Sequence, residues 1–430
     1  MIWHPYTIQK NGTKPIRIKS AREEFLFDEN GKRYIDAISS WWASIHGHNH
    51  PKIVEAIRTQ LNSLDHVLLA GFTHDSAERL SEKLIQFTKK NFTRVFYSDN
   101  GSCGVEIALK ISFQYFQNRN QHEKNEILHF SLSYHGDTIG AMSVGGKSHY
   151  NNNFSKLFFS SKEFISPDCY NCPLNKNPSD CKVECLNELE LYIAENGKKI
   201  SSIILEPLIW GANGMVFYEG KVLQKIRTLC DREDILLIYD EVFTGFGKTG
   251  KHFAFEEADA TPDILVLAKG LSGGTLPVAA TLVNEKVYEG FYFKELNKAF
   301  LHGHTMTGNP SACSASIASI EIFENENILY KIKKLEYRMK EYSSKLKEEY
   351  GELIKVRCLG AVCVMEIVSE YAGVQGNVSE TVKLKCIEKG VIIRPLGNVV
   401  YVTPPYVIRE ESLREIFEAV RYALSFLVKK

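Results

Sequence analysis

The feature that most narrows the fold is an alternation in the middle of the chain. Short apolar runs at Arg94–Ser98, Glu126–Phe130, Ser202–Leu205, Ile235–Tyr239 and Ile264–Leu267 are separated by stretches of helical spacing, such as Val105–Phe116 and Lys221–Arg232. Several runs are apolar on consecutive residues, as strands covered on both faces require. Strand and helix in turn predict an α/β domain built on a mainly parallel sheet.

The pattern changes near Ala315. A charged, periodic stretch to Glu349 predicts one or two helices. Strand-like pieces follow at Lys355–Leu359, Val362–Ile367, Val391–Arg394 and Val399–Val402, then an amphipathic helix from about Arg409. This predicts a smaller α+β unit. A hairpin expected around Asn30-Gly31 places the N-terminal residues against it. The 430 residues accommodate such a division. The expected parts are an N-terminal segment 1–55, a large domain 56–314 and a C-terminal domain 315–430.

Charge excludes some functions. Lys+Arg and Asp+Glu both number 52, so there is no basic excess of the kind that marks nucleic-acid or membrane-surface binding. No apolar run reaches the length of a membrane span. The start, Met1-Ile2-Trp3-His4-Pro5, lacks the basic-then-apolar pattern of a secretory signal, which makes the cytoplasm the expected compartment. In that compartment the ten cysteines are expected as thiols or metal ligands.

Two strand ends carry the strongest chemical signal. The run Ile235–Tyr239 leads into Asp240, and Ile264–Ala268 leads into Lys269, followed by Gly270 and Gly273-Gly274. Ligands of parallel sheets bind beyond the carboxyl ends of the strands. Burial lowers an amine's pKa and frees its lone pair, so a lysine there suits a Schiff base with an aldehyde. A carboxylate such as Asp240 favours the protonated form of a pyridine nitrogen. Taken singly, Asp240 would be a helix cap and Lys269 a solvated loop residue. Their recurrence with the next motifs favours the chemical reading.

Asp99-Asn100-Gly101-Ser102-Cys103-Gly104 joins a strand to a helix, where free amides and a Ser hydroxyl suit a phosphate. Ser133-Tyr134-His135-Gly136-Asp137 could stack an aromatic ring on a cofactor. Leu301-His302-Gly303-His304-Thr305-Met306-Thr307-Gly308-Asn309-Pro310 precedes a helix with small and hydroxyl residues, which again suits an anion. Each segment alone is more simply a turn or a packed loop.

Other groups have plainer explanations. His46, His48 and His50 alternate, but His50-Pro51 opening a helix with Val54, Ile57 and Leu61 accounts for them better than a metal does. Cys169, Cys172, Cys181 and Cys185 match zinc's preference for four sulfurs, though a surface insertion with free thiols accounts for them too. No metal is assigned to the chemistry at the strand ends. Glu206 follows the strand Ser202–Leu205 and is expected as a structural salt bridge as much as a cofactor neighbour.

Together these segments resemble the class III aminotransferases, fold-type I enzymes that use pyridoxal 5'-phosphate. Asp240-Glu241-Val242-Phe243-Thr244-Gly245-Phe246-Gly247-Lys248-Thr249-Gly250 with Ala268-Lys269-Gly270 carries the resemblance, which extends over nearly the whole chain. Trp3-His4-Pro5-Tyr6-Thr7, Ser39-Ser40-Trp41-Trp42, Ile393-Arg394-Pro395-Leu396-Gly397 and Tyr401-Val402-Thr403-Pro404-Pro405-Tyr406 are similar to the family's biotin-synthesis branch. The resemblance implies a mainly parallel, seven-stranded-type sheet. It implies 8-amino-7-oxononanoate as amino acceptor, S-adenosylmethionine as donor, and a homodimer with shared active sites. It makes Lys269 the Schiff-base lysine and proton carrier, and Asp240 the partner of the pyridine nitrogen. Gly101 and Ser102 would bind phosphate, with Thr305 reaching across from a second subunit beside His304, and Tyr134 would stack on the ring. Tyr6, Trp41 and Gly303 would shape the substrate pocket, and Arg394 would grip the acceptor's carboxylate. The family's usual Gly-Pro-Thr is here Gly303-His304-Thr305, a form similar to a lysine-using branch.

Two rival readings remain at this point. One keeps the cofactor and changes the donor or acceptor, as in other ω-aminotransferases. The other is a non-catalytic cofactor- or zinc-binding scaffold, against which the joint presence of Lys269, Asp240 and Tyr134 argues.

Overall fold

The computed structural model describes residues 2–10, 14–148, 150–368 and 377–427. Its centre is a seven-stranded sheet of β1 (Arg94–Ser98), β2 (Glu126–Phe130), β3 (Lys162–Phe164), β4 (Ile200–Leu205), β5 (Leu236–Asp240), β6 (Ile264–Leu267) and β7 (Ala279–Val283). Across the sheet the order is β1-β7-β6-β5-β4-β2-β3. Only β7 runs antiparallel to its neighbours. The pairs β6·β5, β5·β4, β4·β2 and β2·β3 are parallel.

The apolar runs explain this layout. Every residue of β4, β5, β6 and β7 is buried, so these strands have no solvent face to alternate with. One core lies on each side of the sheet. Val105, Ile107, Ala108, Ile111 and Phe116 of the helix Gly101–Asn118 pack with Ile204, Leu236, Ile238, Ile264 and Val266 on one side. Leu205, Leu237, Tyr239, Leu265 and Leu267 join the larger core on the other.

The expected hairpin is present. Phe25–Asp28 pairs antiparallel with Arg33–Asp36, and Gly31 supplies a positive φ of 80° in the turn. Val391–Ile392 pairs in parallel with that second strand. The periodic stretch resolves into two helices, Pro310–Asn325 and Ile328–Tyr350. Ile354–Leu359, Val362–Ile367 and Val399–Val402 form a three-stranded antiparallel sheet, and Glu410–Leu424 is the last helix. The strand expected at Val391–Arg394 is shorter, ending at Ile392, so Arg394 lies in the following loop. Among the described residues, no helix is long and apolar enough to cross a membrane.

Candidate active site

Strand ends of the large sheet converge on a cavity of about 560 Å³. Asp99 and Asn100 enter it from beyond β1, Glu206 from beyond β4, Asp240 from the end of β5 and Lys269 from beyond β6. Parallel strands all point their carboxyl ends the same way, which is why residues far apart in sequence meet there.

Lys269 opens a short 3-10 turn, Lys269–Ser272, with a positive φ of 39°. Its Nζ lies 5.0 Å from the centre of the Trp42 ring. Desolvation lowers its pKa, partly opposed by the carboxylates of Asp240 and Glu206. Asp240 is held on both oxygens: Val242 N–H donates to one at 3.0 Å, and His135 Nδ1 lies 2.7 Å from the other. Both side chains are buried.

Glu206 is not in a salt bridge among the described residues, which corrects the sequence-based alternative. Its carboxylate accepts the amides of Tyr134 and Gly211, each at 3.1 Å. Burial, then the nearby Asp240 carboxylate, pushes its pKa up to about 8.

At the start of the helix Gly101–Asn118, Asn100 caps by accepting Cys103 N–H, and Gly104 N–H bonds Asn100 O. Of the four first-turn amides, those of Gly101 and Ser102 are left to an outside acceptor. Both residues line the cavity. A Cβ on Gly101 would come within 2.8 Å of the Val242 side chain, so only glycine admits this close approach. Gly136, at φ +114°, packs on Ser102 and brings the Tyr134–Asp137 turn against the helix start.

A second cavity, of about 270 Å³, shares Trp42, Tyr134, Asp137 and Lys269 with the first and extends to Tyr6, Trp41 and Arg394. Tyr134 donates to Asp137 at 3.0 Å, and Tyr6 donates to the other Asp137 oxygen. Burial raises the Tyr6 hydroxyl to about 12 and holds Tyr134 higher still, so both stay protonated donors. The Arg394 guanidinium lies 3.9 Å from the Trp41 ring centre and 5.4 Å from that of Tyr6. Among the described residues it has no carboxylate partner within ion-pair distance.

The residues Ser39–Trp42 form a left-handed turn with φ of 50°, 44°, 71° and 77°. Buried acceptors fix it. Asp36 receives Ile38 N–H at 3.2 Å and Ser40 Oγ at 2.8 Å, and lies 2.9 Å from His48 Nε2. Ser39 Oγ donates to Thr403 O at 2.8 Å. This turn aims Trp41 at Arg394 and Trp42 at Lys269.

The loop 301–309 lies apart from these cavities in the single chain, with Gly303 and Thr305 exposed. His304 Nδ1 lies 2.7 Å from Asp99 at the cavity's edge. His46 Nε2 bonds Ser319 Oγ at 3.0 Å, His48 Nε2 lies 2.9 Å from Asp36, and His50, at the N-cap position of the helix Pro51–Leu61 without a side-chain capping bond, has its Nε2 3.9 Å from Glu326, so the alternating histidines have separate structural partners. Sequence reasoning assigned no role to His135 or Asp36. The Tyr134-His135-Gly136-Asp137 motif was the available signal for the first; for Asp36, no local pattern was.

The sheet, the lysine beyond β6 and the carboxylate ending β5 define a fold-type I pyridoxal-phosphate-dependent transferase. The aminotransferase class-III profile matches residues 7–424. Adenosylmethionine-8-amino-7-oxononanoate aminotransferase of Geobacter sulfurreducens is 38% identical over 96% of this chain and 93% of its own. The protein of that name from Anoxybacillus flavithermus is 39% identical over 98% and 94%. Among solved structures, the Methanocaldococcus jannaschii enzyme of the same name superposes with a TM-score of 0.89 at 36% identity, covering 98% of this chain and 96% of that one. A PLP-bound amine transaminase from an uncultivated Pseudomonas species gives 0.91 at 29% identity, covering 99% and 98%. The chain belongs to the class III aminotransferases, and its cofactor is pyridoxal 5'-phosphate. The cavity fits that group: free helix-start amides for a phosphate, a held carboxylate and a desolvated lysine line one space.

Proposed function

We propose that this enzyme transfers an amino group to 8-amino-7-oxononanoate, giving 7,8-diaminononanoate in biotin synthesis, with S-adenosylmethionine as donor. The observation that carries this reading is Arg394. Its guanidinium, stacked on Trp41 and without a carboxylate of its own among the described residues, lines the same cavity as Lys269. An acceptor with a carboxylate on a flexible apolar chain fits a cavity that offers both a cation and a reactive amine.

When bound, the cofactor supplies an aldehyde that condenses with amines and a ring that accepts the electron pair released at the substrate carbon. The chain supplies the rest. Lys269 Nζ, its neutral form favoured by desolvation, takes the proton from the substrate carbon bearing nitrogen and later returns one. Asp240, fixed by His135 and Val242, would keep a proton on the ring nitrogen. Gly101 and Ser102 would hold the phosphate by their amides. Tyr134 would cover the ring, while its hydroxyl with that of Tyr6 keeps Asp137 oriented. Tyr6 and Trp41 wall the acceptor's path.

Exposed Gly303 and Thr305 fit a homodimer in which Thr305 completes the phosphate site of the partner subunit, with His304 anchored to Asp99 at its edge. We divide the chain into 1–55, 56–314 and 315–430; the parallel pairing of Val391–Ile392 with Ile35–Asp36 supports joining the first part to the last. Ten unbonded thiols fit a cytoplasmic enzyme.

The test is a half-reaction. The yellow enzyme is mixed with S-adenosylmethionine or with lysine, and conversion is followed by absorbance. It is then discharged with 8-amino-7-oxononanoate or with other ketones. Conversion by S-adenosylmethionine and discharge by the oxononanoate are expected. Conversion by lysine alone would transfer the donor assignment, for which the Gly303-His304-Thr305 form is the motivating feature. Failure of the oxononanoate to discharge would end the proposal.

A further inference from the structure

Away from this site, residues 165–186 form a long excursion between β3 and the helix Asn187–Asn196, with only two three-residue 3-10 turns, Pro178–Asp180 and Glu184–Leu186. Loops of this length without structure of their own are uncommon in compact domains. Val183 and Leu186 near its end join the core, whereas Ile165, Tyr170 and Leu174 are exposed. Yet its path is definite. Cys169 N–H donates to Phe217 O at 3.1 Å, Trp210 Nε1 donates to Pro167 O at 2.9 Å, and Lys355 Nζ reaches Asn171 Oδ1 at 2.7 Å.

Four cysteines from this excursion, Cys169, Cys172, Cys181 and Cys185, line one small cavity. All four are half-buried thiols. We propose that they form a structural site for a thiophilic divalent cation, zinc, which staples the excursion to the large domain. The cavity measures about 20 Å³, room for one small sphere. Two short sequence steps, three residues from Cys169 to Cys172 and four from Cys181 to Cys185, supply the ligands in pairs, as tetrahedral four-sulfur sites do.

Among the described residues no three of these groups already stand in a metal's coordination geometry. Capture therefore turns the sulfurs inward by side-chain rotation, within a space they already share. Each thiol gives up its proton to solvent on binding, so one Zn²⁺ and four thiols become a centre of net charge −2 with four protons released. Lys176 and Lys221 line the same cavity as cations, and Asp168 and Glu219 border it as carboxylates. Lys176 pairs with Glu184 at 3.4 Å and Lys221 with Glu219 at 2.9 Å, so both are tied close to the site. Zinc's role is then architectural. It fixes a loop whose Asn171 bonds Lys355 of the C-terminal sheet, far from any proton transfer.

The full-length enzyme with its cofactor bound is purified from zinc-supplemented cells and its metals are measured by mass spectrometry. About one zinc per chain is expected, released as four thiols react with a mercurial. Cobalt exchanged for zinc should show a thiolate-to-cobalt charge-transfer band. Cys172→Ser and Cys185→Ser should each lose most of the metal and lower Tm, while the cofactor absorbance stays. Should either variant fail to fold, the mercurial titration of the unaltered enzyme decides. Less than about one zinc per ten chains after supplementation, a disulfide among these cysteines, or iron in place of zinc would overturn the proposal.

Discussion

His135 and Asp240 meet through a 2.7 Å contact between Nδ1 and a carboxylate oxygen, both side chains buried. With a carboxylate as acceptor, Nδ1 must carry the proton, which fixes the imidazole tautomer. The contact keeps Asp240 facing the cavity at the end of β5. Replacing His135 with Phe leaves that oxygen buried and unpaired. A hydrogen bond to a charged group contributes about 1.5–3 kcal/mol, so cofactor affinity and turnover should fall by about 10–100-fold. His135→Asn, which retains a donor, should lose less. Equilibrium dialysis against pyridoxal phosphate checks both, and unchanged affinity in the Phe variant would remove His135 from the site.

Lys269→Ala tests the central assignment. Losing a general acid–base group costs about 10²–10⁴-fold in rate, and losing the covalent attachment adds to it. Turnover should become nearly undetectable while the fold persists, since Lys269 makes no hydrogen bond that holds the core together. Borohydride reduction followed by peptide mass spectrometry should place the cofactor on Lys269 in the unaltered enzyme. An adduct on another lysine would contradict the assignment.

Both of these residues show how far the sequence could be read. Asp240 and Lys269 were legible because uninterrupted apolar runs announce buried parallel strands, and chemistry gathers at their carboxyl ends. β7 escaped notice. Ala279-Ala280-Thr281-Leu282-Val283 is short and begins with small residues after Pro277, and its burial comes from neighbours distant in sequence. β3 has three residues, too few for any period. The turn Ser39–Trp42 was illegible for a stronger reason. Local preference disfavours a run of left-handed L-residues, so its conformation depends on the bonds that hold it, those of Asp36 and Thr403 together with Trp42 N–H to Ile38 O and Ala43 N–H to Ser39 O. Glu206 was left between a salt bridge and a cofactor neighbour because nothing in sequence reveals that two amides, from Tyr134 and Gly211, wait at that strand end.

Glu206 gives a prediction about pH. Its pKa is about 8 in the folded chain against an ordinary 4.5, so between these values the folded state holds a proton that the unfolded chain has released. Stability rises with pH where the unfolded state binds more protons, and here it binds fewer. The contribution is therefore complete below pH 4.5 and is lost as pH rises through about 8. Glu206→Gln should flatten this part of the profile, read as denaturation midpoints from pH 5 to about 9. An identical slope in the variant would show that Glu206 ionises normally.

Arg394 should govern acceptor affinity more than chemistry. Truncation to Ala removes a charge-assisted contact with the acceptor's carboxylate, raising KM by about 10–100-fold with a smaller change in kcat. Arg394→Lys should recover little, because an ammonium lacks the planar fork and the stacking on Trp41 that sits 3.9 Å away. Esterifying the acceptor's carboxylate should harm the native enzyme and leave the Ala variant almost indifferent. A variant that still discriminates the ester would move carboxylate recognition elsewhere.

Asp36 should matter to the site without touching it. Four consecutive left-handed residues carry a steric cost of about 1–2 kcal/mol each, which the surrounding bonds must offset. Asp36→Ala strips the acceptor from Ile38 N–H, Ser40 Oγ and His48 at once, and the buried Ile38 N–H left unpaired costs about 1–3 kcal/mol, the exposed Ser40 hydroxyl turning to water instead. The turn should relax toward ordinary backbone, swinging Trp41 off Arg394 and Trp42 off Lys269. The expected signs are a lower denaturation midpoint, a shift in tryptophan fluorescence and a raised KM for the acceptor. Cofactor attachment should persist, because Lys269 remains anchored beyond β6. Ser40→Gly separates the two effects. Glycine adopts positive φ without the steric cost but forfeits one bond to Asp36, so this variant should keep the turn and most of the acceptor affinity. If Asp36→Ala left both KM and fluorescence unchanged, the turn would owe its shape to something other than this carboxylate.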